Sequence, residues 1–150
     1  MNHVFQKTTD AAMIAKLHVR ELAEQGKEYS PEDVIKKWQS VSGRYFIVSE
    51  EHGFVAFQEG PAESCYLSDL YVDPQYRGRG LGRALVRAVK CDHRYVELHV
   101  DEGNVAAWSL YESEGFIEVY HREKGNTTRV FLRYTGAQQP HAADADKPRR

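Results

Sequence analysis

From Leu81 onward, apolar side chains return at i, i+3, i+4, i+7 and i+8, as Leu81, Ala84, Leu85, Ala88 and Val89. That spacing predicts an amphipathic helix with one buried stripe. Upstream, residues 64–72 form an apolar, strand-like run that ends in Leu70-Tyr71-Val72. Strand alternation places Leu67, Asp69 and Tyr71 on one face of it. Between run and helix lies Asp73-Pro74-Gln75-Tyr76-Arg77-Gly78-Arg79-Gly80-Leu81-Gly82.

The rest of the chain divides in the same way. Asn2 to Lys7 alternates weakly and reads as a first strand. Thr8-Thr9-Asp10 offers caps for a helix through about Gln25, with Ile14, Leu17 and Leu22 as its stripe. Ser30-Pro31-Glu32-Asp33 predicts a second helix start, with serine as cap, proline in the first turn and Asp33 closing a capping box. Residues 44–49 and 54–58 predict a hairpin across Glu50 to Gly53. A strand over 95–100, a helix over 104–114 ended by Gly115, and a closing hairpin of residues 116–122 and 128–134 complete the order β-α-α-β-β-β-α-β-α-β-β. Residues 1–136 read as one domain. Residues 137–150 contain no large apolar side chain, so a mobile polar tail is expected there.

Composition narrows the function. At 150 residues the chain suits a single core, and 41% hydrophobic residues argue against disorder. With 20 basic and 22 acidic residues the net charge is −2, which does not suggest a nucleic-acid binder. No apolar run reaches bilayer length and no leader pattern opens the chain, so a cytoplasmic protein without membrane attachment is expected. Two cysteines imply no disulfide framework. The seven histidines show no metal-ligand spacing, so no metal is expected.

The glycine-rich turn carries the chemistry. Glycines let backbone N–H groups approach a ligand, and the first turn of the following helix points free N–H groups and a positive dipole end at it. Arg77, Arg79 and Arg83 add positive charge suited to phosphate. A P-loop is excluded, because no Gly-Lys-Ser/Thr follows. A dinucleotide fingerprint fits badly, because the third glycine comes one residue early and four residues separate the strand from Arg77.

The stretch resembles the acetyl-CoA signature of the GNAT N-acetyltransferase superfamily, Arg/Gln-x-x-Gly-x-Gly/Ala after a strand ending in Val-x-Pro. Arg77, Gly80 and Gly82 fill its fixed positions, and Val72-Asp73-Pro74 supplies the lead-in. Asn104 to Phe116 is similar to the second signature, Asn-x-x-Ala-x-x-x-Tyr-x-x-x-Gly-Phe. The likeness covers roughly residues 42–134.

The resemblance implies an α/β (α+β) fold: a mixed, mostly antiparallel six- to seven-stranded sheet flanked by helices, splayed between the fourth and fifth strands. It also implies an acetyl-CoA-dependent N-acetyltransferase that moves the acetyl group to a primary amine by direct transfer in a ternary complex. The acceptor is taken as a small-molecule amine. Acetyl-CoA would be held by Leu70, Tyr71, Val72, Arg77, Gly78, Arg79, Gly80, Leu81, Gly82, Arg83, Asn104, Ala107 and Tyr111.

Tyr111 occupies the family's tyrosine position, that of a general acid near the sulfur; a packing role is the alternative. Asp69 is the base candidate, because an acid inside an apolar strand is costly unless paired or functional. A structural salt bridge is its alternative, and Glu97 or ordered water are other bases. Glu21, Glu24 and Glu28, with Tyr29 following, form an acidic rim suited to a cationic amine, or a solvated helix face; Glu24, Glu28, Tyr29 and Asp69 are the acceptor-binding candidates. A non-catalytic acyl-CoA sensor and a lysine or amino-terminal protein acetyltransferase stand as competing readings. Oligomeric state stays open, a homodimer among the options.

Overall fold

The computed structural model describes residues 3–136. Asn2 and the 137–150 tail lie outside the described residues. The chain runs β1 (Gln6–Thr8), a 3-10 turn (Ala11–Met13), α1 (Ala15–Glu24), α2 (Pro31–Gln39), β2 (Arg44–Ser49), β3 (Gly53–Glu59), β4 (Ser64–Val72), a second 3-10 turn (Pro74–Tyr76), α3 (Leu81–Cys91), β5 (Tyr95–Asp101), α4 (Val105–Ser113), β6 (Ile117–Lys124) and β7 (Thr127–Tyr134). The predicted order of elements holds. The first strand is shorter than expected, and Asp10 caps the 3-10 turn rather than α1, its side chain accepting from the Ala12 N–H. The predicted capping box at Ser30 and Asp33 is present in full.

Seven strands form one sheet in the order β1-β2-β3-β4-β5-β7-β6. All neighbours are antiparallel except β4 and β5. Helices cover both faces, and alternation along the strands sorts the core. Val55 and Phe57 of β3 join Leu81, Leu85, Val86 and Val89 of α3 in one cluster. Phe54 and Ala56 join Ile14, Leu17, Val34 and Trp38 from the first two helices in the other. Phe46, Phe54, Phe57, Leu85, Leu98 and Leu132 are among the largest fully buried side chains. Each contributes roughly 1.5–3 kcal/mol through removal from water.

Two departures from regular pairing shape the site. The parallel β4–β5 pairing covers only Ser64↔Tyr95, Cys65↔Val96 and Tyr66↔Glu97. Beyond Tyr66 the strands separate, each keeping its other neighbour, so β4 has an unpaired edge along residues 67–72. The second departure is a bulge in β4. Ala56 faces Asp69 while Phe57 faces Leu67, leaving Ser68 as an extra residue whose Oγ donates to the Ala56 carbonyl at 3.2 Å.

The bulge overturns one expectation. Simple alternation put Leu67, Asp69 and Tyr71 on one face, but an inserted residue reverses the facing of everything after it. Leu67 packs in the α3 cluster, whereas Tyr71 packs with α1 and α2. Asp69 follows Tyr71, toward His18, Glu21 and Arg44.

Candidate active site: two cavities astride β4

One cavity, of about 600 Å³, is built on Leu70, Tyr71 and Val72, the loop from Tyr76 to Gly80, the start of α3, and Asn104, Ala106, Ala107 and Leu110 around the start of α4. Gly78 and Gly80 have φ of +78° and +84°, and a Cβ at either would meet nothing within 4 Å. Glycine is thus required there by backbone conformation, and open space lies where a side chain would have stood. Ser30 and Asn104 cap α2 and α4 with their side chains, but no side chain caps α3. The first backbone bond into that helix is from Ala84 N–H to the Gly80 carbonyl. The preceding N–H groups, including those of Leu81, Gly82 and Arg83, are left for an anion.

The three arginines of the loop and the start of α3 differ in their freedom. Arg77 donates from Nε to the Val72 carbonyl at 2.8 Å and from Nη2 to Glu24 at 3.1 and 3.3 Å. Arg79 lies over the Tyr76 ring at 5.5 Å and makes no ion pair among the described residues. Arg83 turns away: its Nη1 donates to Glu114 Oε2 at 2.6 Å and to Ser113 Oγ at 2.7 Å. Glu114 also receives Arg87 and Lys90. Burial works to raise the Glu114 carboxyl, but hydrogen bonds from Arg87, Arg83 and Lys90 outweigh it and hold it at about 2.

Asn104 Oδ1 accepts from the Ala107 N–H at 3.3 Å, so both residues of the second signature stand on the cavity wall as a helix cap. Tyr111 lies deeper, buried in the α3-side core with its ring 5.5 Å from Phe116. Burial pushes its hydroxyl above the ordinary tyrosine range, and the nearby Asp69 charge pushes the same way.

The second cavity, of about 400 Å³, lies on the other side of the bulge, between Asp69 and Ser68 on one hand and His18, Glu21, Lys37, Trp38 and Arg44 on the other. His18 Nδ1 is 2.7 Å from Glu21 Oε1 and 3.5 Å from Asp69 Oδ2. One ring nitrogen of His18 and one carboxyl oxygen each of Glu21 and Asp69 lie within 4.8 Å of one another. Burial raises Asp69 to about 8, helped by the charge of Glu21 and a hydrogen bond with it, and opposed by His18 and the Leu70 N–H. Burial also raises Glu21. Each carboxyl is thereby pushed toward its protonated form. Burial lowers His18, against the pull of Asp69. A neutral ring with hydrogen on Nδ1 satisfies Glu21 and leaves the buried Nε2 without a partner, with the Trp38 and Phe54 rings edge-on to the imidazole.

The other expected residues fall as follows. Glu24 lines the first cavity and accepts from Tyr71 Oη at 2.5 Å as well as from Arg77. Glu28 and Tyr29 are exposed in the α1–α2 connection and line neither cavity. Glu97 is paired with Arg133 at 2.9 Å. His99 Nδ1 lies 2.7 Å from the Tyr66 hydroxyl. Sequence reasoning passed over His18, Lys37 and Arg44. The one available signal was His18 within the apolar stripe of α1, three residues before Glu21.

The model of the acetyltransferase (GNAT) family matches residues 11–116, and the chain belongs to that family. It is 48% identical over 76 residues to the mycothiol acetyltransferase of Thermobispora bispora, a match covering 47% of this chain and 25% of that protein. It is 34% identical over 64 residues to the peptidyl-lysine N-acetyltransferase YiaC of Escherichia coli, covering 43% of this chain and 41% of the relative. The chain thus spans between 25% and 32% of the length of the mycothiol acetyltransferases it matches. Among solved structures, yncA from Salmonella typhimurium with its cofactor acetyl-CoA superposes with a TM-score of 0.69 at 18% identity, over 95% of this chain and 97% of that one. The spermidine N-acetyltransferase SpeG of Vibrio cholerae superposes at 0.70 and 17% identity, over 88% and 94%. These likenesses establish a shared fold. Among the described residues, no helix is long and apolar enough to cross a membrane.

Proposed function

We propose that this chain transfers the acetyl group of acetyl-CoA to a primary amine of a small molecule, with both substrates bound at once. The observation that carries the reading is that β4 serves two cavities in succession. Ser68 and Asp69 line one, and Leu70, Tyr71 and Val72 line the other. A thioester laid along the open edge of β4 would bring its carbonyl toward Asp69 and Leu70, where the lining of one cavity gives way along the strand to that of the other. The uncapped start of α3, with Gly78 and Gly80, suits the pyrophosphate; Leu70 to Val72 offer backbone to the pantetheine arm; Asn104 and Ala107 flank it. The family and the acetyl-CoA of yncA support the same cofactor.

In the reaction, the amine nitrogen forms a bond to the thioester carbon as the carbon–sulfur bond breaks. The amine's proton passes to Asp69, directly or through water, and the sulfur leaves as thiolate. A primary ammonium with a pKa near ~10.4 needs such a base at neutral pH. Tyr111, reluctant to ionise in its buried position, stabilises the thiolate mainly as a hydrogen-bond donor, the final proton coming with product release. The relatives' names, mycothiol acetyltransferase, peptidyl-lysine N-acetyltransferase and spermidine N-acetyltransferase, point to no single acceptor, and the small-molecule reading rests on the size of the second cavity, about 400 Å³, instead.

The test is thiol release from acetyl-CoA over a panel of amines, amino acids and peptides, with calorimetry of acetyl-CoA alone in parallel. Tight acetyl-CoA binding without release for any acceptor would leave a binding module. Release with peptides only would make it a protein acetyltransferase.

A further inference from the structure

The acceptor-side cavity holds more positive than negative charge. Lys27, Lys37 and Arg44 line it together with Glu21 and Asp69. Three basic side chains thus face two acids, and burial pushes both acids toward their neutral form. An acceptor carrying several ammonium groups would be repelled there.

Arg44 is the decisive side chain. It is half-buried at the start of β2, its guanidinium 4.5 Å above the Trp38 ring. Its Nε is shielded from solvent and has no hydrogen-bond partner, and it forms no ion pair among the described residues. The arginines elsewhere that border carboxylates are engaged: Arg77 with Glu24, Arg83 and Arg87 with Glu114, Arg133 with Glu97. A shielded guanidinium donor left unmet is costly, and its planar fork matches a carboxylate or phosphoryl group. The aromatic stack fixes its direction, which lowers the entropy lost on gripping an anion.

Resting on the transferase reading above, we propose that the acceptor is an amine that also carries an anionic group, carboxylate or phosphoryl, a few bonds from the reacting nitrogen. Arg44, with Lys37 beside it, holds the anion, and the Glu21–Asp69 pair receives the amine. The net positive surroundings also favour the uncharged form of that amine, which is the form that attacks.

The experiment compares matched acceptors in the acetyl-CoA thiol-release assay. Amino acids are set against their carboxamides, aminoalkylphosphonates against alkylamines, and diamines are included. The expected result is a kcat/KM at least about tenfold higher for the anionic member of a pair. The carboxylate and phosphonate arms identify which anion fits. Arg44→Met, which keeps a flexible apolar arm on Trp38, should bring the ratio to about 1–2 through KM, with acetyl-CoA affinity unchanged. Lys37→Met, at an exposed position with no fold risk, should lower it partially. A wild-type ratio near one, a preference for diamines, or a ratio unmoved in a folded Arg44→Met would overturn the inference while leaving transferase activity standing. Tight acetyl-CoA binding with no release from any acceptor would instead overturn the transferase reading, and this inference with it.

Discussion

Glu21 of α1 and Asp69 of β4 each bring a carboxyl oxygen within 4.8 Å of the other and of a His18 ring nitrogen, and burial pushes both acids upward. The pair exists because the bulge at Ser68 turns Asp69 toward α1 instead of toward α3. An acid in that position is poised to exchange a proton near neutral pH, as a general base should be.

Removing the charge with Asp69→Asn tests this in activity. Wild-type kcat/KM for the acceptor should rise with pH through an acidic limb near about 8, where Asp69 ionises. The groups facing Asp69 that can shift the limb are His18, Glu21, Lys37, Arg44 and Tyr111. The variant should lose roughly 10²-fold or more in kcat/KM, lose the limb, and keep its acetyl-CoA affinity. A pH–rate profile with an unaltered limb would return Asp69 to a structural role.

The same variant makes a stability prediction of defined sign. The unfolded-state pKa of an aspartate is near ~3.9. Between there and about 8 the folded chain keeps a proton that the unfolded chain has released, so this group's contribution to stability falls as pH rises across that window. Asp69→Asn removes the group. Its melting temperature should match wild type near pH 4 and exceed it by a few degrees at pH 8–9, as about 1–2 kcal/mol would produce in a domain of this size. Calorimetric scans at both pH values check it, and equal shifts at the two would refute the assignment.

At the sulfur end, Tyr111→Phe should lower kcat by at least about tenfold, with acetyl-CoA affinity nearly unchanged because the ring still packs on Phe116. Stopped-flow turnover beside calorimetry separates the two quantities. Full turnover would leave Tyr111 as a packing residue.

Gly80→Val should abolish most acetyl-CoA binding. The residue has φ +84°, so a β-branched side chain is strained there by roughly 1–2 kcal/mol, and its methyls would occupy the space before α3. Circular dichroism should still report a folded domain. Unchanged affinity in that folded variant would refute the pyrophosphate assignment.

Glu24 competes with any anion for Arg77. Glu24→Gln should therefore tighten acetyl-CoA binding by about two- to fivefold, the factor that an exposed ion pair of up to about 1 kcal/mol allows. Weaker binding in the variant would mean that Glu24 serves to hold Arg77 in place.

The fold was largely readable because its signals are local. The Leu81–Val89 stripe, the Ser30–Asp33 capping box and the glycines of the loop each act within a few residues. The glycine loop, which lines the first cavity, was legible for the same reason. The second cavity was not, since His18, Lys37, Arg44 and Asp69 come from four elements and meet only in the folded chain. Ser68 misled directly: nothing in Leu67-Ser68-Asp69 distinguishes a bulged strand from a regular one, so alternation gave the wrong face. Arg83, apparently free in sequence, is claimed by Glu114 from a helix end thirty-one residues on.

The bulge makes the pairing of β4 with β3, rather than side-chain identity, decide which face of the sheet Asp69 takes. Adding one residue to β3 opposite Ser68 would leave every side chain of β4 in place, yet pairing would become regular and Asp69 and Leu67 would point the same way, into the layer against α3 or away from it together. A single-residue insertion in β3 among relatives would thus carry Asp69 to the other side of the sheet in one step, and comparing such proteins column by column would pair residues that stand on opposite faces.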